Sequence, residues 1–165
     1  MTAARRPRLL WTDDDPPGRF EYEQYVIRDE GWDIVWASDV NTATKLLSEE
    51  LFDALILDQM LSPYVGLRKG DPIWGGCLIL RWLRGKAPPN HLAVDPEGPL
   101  ARYKPDPRNA DLPTVIVSGF HDPKVEAAIR DASPQDRNIQ LVPKPLDINA
   151  ILEFLRRASR GGDAT

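Results

Sequence analysis

The sequence predicts an α/β fold, a parallel sheet of five strands covered by helices, and three observations predict it. Short apolar runs alternate with longer amphipathic stretches along the chain, the order strand, crossover helix, strand. The run Ala54-Leu55-Ile56-Leu57 is apolar on consecutive residues, as a strand buried on both faces requires. The apolar runs also stop on polar residues: Asp13-Asp14, Asp58, Ser118 and Lys144. The 165 residues amount to one domain at roughly 150 residues per domain, placed at 1–158 with a frayed tail over 159–165.

The first strand is Arg8 to Thr12, stopped by Asp13-Asp14-Asp15-Pro16-Pro17-Gly18. Phe20 to Glu30 reads as a helix with Tyr22, Tyr25 and Val26 at helical spacing, ending at Gly31. Trp32 to Ala37 is the second strand. Ser38 or Asp39 caps a helix carrying Val40, Ala43 and Leu47 on one face. The third strand, Ala54 to Leu57, ends in Asp58, and a long loop over 59–76 precedes a helix from Leu78 to Arg84. A second long loop, 85–113, holds seven of the 16 prolines. Thr114 to Val117 is the fourth strand, and Asp122-Pro123 opens a helix bearing Val125, Ala128 and Ile129. Ile139 to Val142 is the fifth strand. Asp147 then caps a helix whose Ile148, Ile151, Leu152 and Leu155 form one stripe.

Composition excludes several classes of function. A net charge of -4 argues against a broad phosphate-binding surface, so no nucleic acid is expected as partner. In and just before the second loop, Arg84, Lys86, Arg102, Lys104 and Arg108 are offset by Asp95, Glu97, Asp106 and Asp111. No apolar stretch is long enough for a membrane span or an export signal, and the single Cys77 allows no disulfide framework; a cytoplasmic setting is expected. His91 and His121 lack metal-ligand spacing and are given no role. The five tryptophans sit mostly at core positions, Trp74 being the exception.

In a parallel sheet all strands point their C-terminal ends the same way, so Asp13, Asp14, Asp58, Ser118 and Lys144 fall at the edge where such sheets place ligands. Three carboxylates gathered there repel one another unless a cation intervenes. A hard divalent ion such as Mg²⁺ suits an all-oxygen ligand set and binds phosphate oxygens as well. Lys144 supplies a point charge and Ser118 a hydroxyl donor for a phosphoryl group, and a carboxylate can itself accept one as an aspartyl phosphate.

Through Leu9-Leu10-Trp11-Thr12-Asp13-Asp14-Asp15, Asp58-Gln59-Met60, Ser118-Gly119 and Lys144-Pro145, nearly the whole chain resembles the receiver domain of two-component response regulators. The resemblance implies a doubly wound, flavodoxin-like sheet with strand order 2-1-3-4-5. It makes Asp58 the phosphoacceptor and Asp13, Asp14, Asp58 and the backbone carbonyl of Gln59 the ligands of Mg²⁺. Ser118 becomes the switch hydroxyl, Lys144 the phosphate partner, and Lys144-Pro145 a cis peptide. A histidine kinase or phosphotransfer protein would be the donor and a separate protein the downstream partner. A homodimer would form through the helix after the fourth strand, the fifth strand and the last helix. Such a protein is a signalling switch, not a turnover enzyme.

The chain departs from the family pattern in the loop after Asp58. Ser62 stands where a proline is usual, Pro63 follows, and the matching glycine, Gly76, is delayed by an insertion that reads first as a solvated loop, with a lid or docking surface built from Tyr64, Arg68, Lys69 and Trp74 as the alternative. Leu141 stands where an aromatic switch is usual. Two rivals follow: a pseudo-receiver that signals without phosphate, and a haloacid-dehalogenase-like phosphatase whose nucleophile would be Asp13. A flavodoxin-type cofactor binder is disfavoured because the acidic edge would repel a cofactor phosphate.

Overall fold

A computed structural model describes residues 5–61, 74–90, 94–119, 121–132 and 138–161. Strands β1 (Arg8–Thr12), β2 (Asp33–Ala37), β3 (Ala54–Asp58), β4 (Thr114–Ser118) and β5 (Ile139–Pro143) form one parallel sheet in the order β2-β1-β3-β4-β5. After β2 the chain returns across β1 to β3 and continues to β5. The direction of winding therefore reverses between β1 and β3, which opens a crevice at their C-terminal ends.

Alternation along each strand sorts the core into two layers. Leu9 and Trp11, Ala54 and Ile56, Val115 and Val117 face α1 (Glu21–Asp29) and α6 (Ile148–Gly161), where Ile27, Ile151, Leu152 and Leu155 meet them. Leu10, Leu55, Leu57 and Ile116 face α2 (Val40–Glu49), α3 (Gly75–Leu83) and α5 (Pro123–Ala132). Burial of both faces is why the strands read as unbroken apolar runs. On the α1 side Trp11, Phe20 and Trp36 stack, with centroids 5.3 to 5.9 Å apart. Trp11 and Trp32 are buried and Trp74 and Trp82 half-buried, and Cys77 lies in the core with burial pushing its thiol up to about 11. Among the described residues no helix is long and apolar enough to cross a membrane.

The caps follow the sequence. The Asp39 carboxylate accepts from the Thr42 N–H at 2.6 Å, that of Asp122 from Lys124 N–H, and that of Asp147 from Asn149 N–H. Gly31 ends α1 at φ 91°, a conformation only glycine adopts freely.

Four expectations are corrected. On α1, Tyr22 and Tyr25 are 67% and 68% exposed; Gln24 and Ile27 form the inner face, because a 3₁₀ turn over Pro17–Phe20 rotates the entry and commits Phe20 inward. Helix α3 starts at Gly75 rather than Leu78. Helix α6 continues to Gly161, past the expected start of the tail. The proline-rich segment is not structureless: α4 (Pro99–Arg102) and a 3₁₀ turn over Pro107–Asn109 form a strap beside α2. The buried Asn109 fastens it, donating to the carbonyls of Leu47 (2.9 Å) and Glu50 (2.7 Å) and accepting from the Phe52 N–H (3.2 Å). Ser62, Pro63, Tyr64, Arg68, Lys69 and His91 lie outside the described residues.

Candidate functional site

Backbone hydrogen bonds that carry the sheet ladder past the strand ends position the site. Asp13 N–H donates to Ala37 O (3.1 Å), Gln59 N–H to Val117 O (2.8 Å) and Lys144 N–H to Ser118 O (2.9 Å). Register aligns Thr12 with Leu57, Asp58 with Val117, and Ser118 with Pro143. The residues that follow therefore project from adjacent strand ends. Beneath them the Thr12 hydroxyl donates to Ile56 O at 3.1 Å, tying β1 to β3.

Carboxylate oxygens of Asp13, Asp14 and Asp58 all lie within 4.8 Å of one another, Asp13 and Asp58 buried and Asp14 exposed. Lys144 Nζ stands 3.4 Å from Asp58 Oδ1 and 3.7 Å from Asp13 Oδ2. The Asp15 N–H donates to Asp13 at 2.9 Å and the Met60 N–H to Asp58 at 3.2 Å. Burial still dominates: it pushes Asp13 up to about 6, with the charge of Asp58 adding and Asp15 N–H and Lys144 opposing. Asp58 is likewise raised by burial, against the pull of Lys144 and the Met60 N–H. One ammonium is too little for three carboxylates, so the donor set fits a hard divalent cation.

Ser118 ends β4 at the same edge, and Lys144-Pro145 is cis. The Gln59 carbonyl accepts from the Gly76 N–H at 3.4 Å. Gly76 is indispensable there, since a Cβ would fall 2.6 Å from Asp58 O and 3.0 Å from Gln59 Cα. All five side chains named from the sequence, Asp13, Asp14, Asp58, Ser118 and Lys144, thus gather at one edge. His121 is not a member of the Asp13–Asp14–Asp58 cluster; its Nδ1 lies 2.6 Å from Glu126 Oε1.

Sequence reasoning missed a cavity of about 230 Å³ on the α5 side of this edge, walled by Gln59, Trp74, Ile116, Ser118, Ile129 and Leu141. It also missed the Gln59 side chain, whose amide oxygen and nitrogen are buried without a hydrogen-bond partner among the described residues. Strand alternation was the available signal, because it turns Gln59 to the face opposite Asp58.

No family model and no curated protein matches the sequence. Solved structures do match. A CheY-like response regulator receiver domain protein from Methanospirillum hungatei JF-1 is 14% identical with a TM-score of 0.64, covering 98% of this chain and 100% of that one. The signal receiver domain of a signal transduction histidine kinase from Syntrophus aciditrophicus is 16% identical, TM-score 0.62, covering 96% and 94%. A Burkholderia pseudomallei response regulator with a phosphorylated aspartic acid, calcium ion and citrate is 17% identical, TM-score 0.57, covering 96% of this chain and 73% of that one. The chain has the receiver-domain fold.

Proposed function

We propose that this chain is a phosphoryl-accepting switch of a two-component relay, with Asp58 as acceptor. The observation that carries the reading is the Asp13–Asp14–Asp58 cluster with Lys144 Nζ 3.4 Å from Asp58. The Burkholderia neighbour, which holds a phosphorylated aspartic acid and a calcium ion, supports it.

In the proposed reaction a carboxylate oxygen of Asp58 attacks the phosphorus of a phosphohistidine. The new P–O bond forms as the P–N bond breaks, and the imidazole leaves with the nitrogen electron pair. Asp13, Asp14 and Asp58, with the Gln59 carbonyl as backbone ligand, would hold Mg²⁺, which supplies positive charge to the carboxylates and to phosphoryl oxygens. Lys144 meets the incoming phosphoryl charge from the β5 side, and Ser118 offers a hydroxyl from β4. Burial excludes water around the acceptor and strengthens these interactions. The added charge shifts the edge between two states that a downstream protein distinguishes. The donor is a histidine kinase or phosphotransfer protein, and the chain turns over no substrate of its own. A reducing cytoplasm fits its single, buried cysteine.

Intact-protein mass spectrometry after incubation with acetyl phosphate, with and without Mg²⁺, tests the proposal. A Mg²⁺-dependent phosphoryl adduct lost in Asp58→Ala supports it. An adduct that survives Asp58→Ala and is lost in Asp13→Ala supports the phosphatase reading. Absence of an adduct on a folded wild-type chain supports the pseudo-receiver.

A further inference from the structure

The cavity beside Ser118 contains an unusual arrangement of polarity. Its walls are apolar, formed by Trp74, Ile116, Val125, Ile129 and Leu141. Its charged lining groups are already engaged: His121 with Glu126 at 2.6 Å, Lys144 with Asp13 and Asp58, and Asp122 with the Lys124 N–H of α5. Gln59, which also lines it, is 2% exposed, and neither its amide oxygen nor its nitrogen has a partner among the described residues. A buried amide without partners is costly, and it breaks no hydrogen bond if it turns.

The cavity offers about 230 Å³ and is open to solvent on one side. It exceeds the ~150 Å³ of an apolar cavity that takes up benzene and falls short of the ~300 Å³ at which drug-sized pockets begin. Leu141 on β5 leaves this room, since a larger side chain there would occupy it.

From these observations we propose that the cavity is a binding site for a small, uncharged, flat compound of one or two rings carrying a donor and an acceptor side by side, as in a lactam or carboxamide. The rings lie against Trp74 and Leu141, and the donor–acceptor edge pairs with the Gln59 amide, which turns toward the cavity to meet it. Charge is disfavoured because the walls are apolar and each charged group of the lining already has a partner within the protein. The proposal goes beyond the phosphorylation reading and stands without it.

Titration of the folded chain with quinolin-2-one, followed by ¹⁵N-¹H NMR with chelator and without phosphoryl donor, tests this site. Expected are saturable shifts at the Trp74 indole and Gln59 amide with a dissociation constant at or below ~1 mM. Gln59→Leu, similar in size, should weaken binding about tenfold while leaving naphthalene-type contact by indole nearly unchanged. Leu141→Phe, checked for folding by circular dichroism, should abolish both. Lack of saturation in the wild type, or equal affinity of wild type and Gln59→Leu, overturns the proposal irrespective of how the Leu141 variant folds.

Discussion

At Asp13 the cost of the site is measurable in a single side chain. Folding raises its carboxyl from an ordinary 3.8 to about 6, so between those values the folded chain holds the proton more tightly than the unfolded one. The contribution of Asp13 therefore lowers stability as pH rises from about 4 to about 6, and the loss is complete above that. Two pH units correspond to roughly 3 kcal/mol. In chelator, Asp13→Asn should gain about 1–2 kcal/mol at about pH 7.5 and flatten this part of the pH profile in urea denaturation; a less stable variant at that pH would contradict the assignment. Mg²⁺ should raise the wild-type midpoint and leave Asp13→Asn nearly unmoved, because a ligand stabilises only the state that binds it.

Helices and loops carry different parts of the architecture, and two substitutions separate them. Gly76→Ala pushes a Cβ against Asp58 O and Gln59 Cα, which are backbone and do not yield, so α3 must move. The expected loss is about 1–3 kcal/mol in urea denaturation, together with reduced phosphorylation. Asn109→Ala removes three hydrogen bonds of the strap at the opposite end of the sheet and should cost about 2–4 kcal/mol. Its phosphorylation should remain, and loss of phosphorylation in a folded Asn109→Ala would show that the strap reaches the site.

The strands, their acidic ends and the Asp39, Asp122 and Asp147 caps were legible in the sequence because each depends on local pattern. The inner face of α1 was not. Tyr22 and Tyr25 satisfy helical spacing as well as Gln24 and Ile27 do, and the choice rests on tertiary contacts: Ile27 joins the core and the Gln24 amide donates to Pro17 O at 2.7 Å. The strap was illegible for a related reason, since Asn109 forms its bonds with residues more than fifty positions away. Among site residues, Asp13, Asp58, Ser118 and Lys144 were readable from strand ends alone and the direction of Gln59 from strand alternation, whereas the cavity beside it requires knowing what α5 and Trp74 leave uncovered.

For the whole molecule, the two-layered core makes Cys77 a reporter. Its thiol is buried and pushed up to about 11, so a thiol reagent should leave the native chain unmodified, and labelling should follow the same urea midpoint as circular dichroism. Labelling well below that midpoint would show that the α3 layer opens on its own. The central claim concerns one atom of one residue: phosphoryl transfer to a carboxylate oxygen of Asp58. Borohydride reduction of the phosphorylated chain converts an aspartyl phosphate to homoserine, and peptide mass spectrometry then reads its position. Homoserine at position 58 is the predicted result; homoserine at position 13, or none in a chain that carries phosphate, would contradict the account.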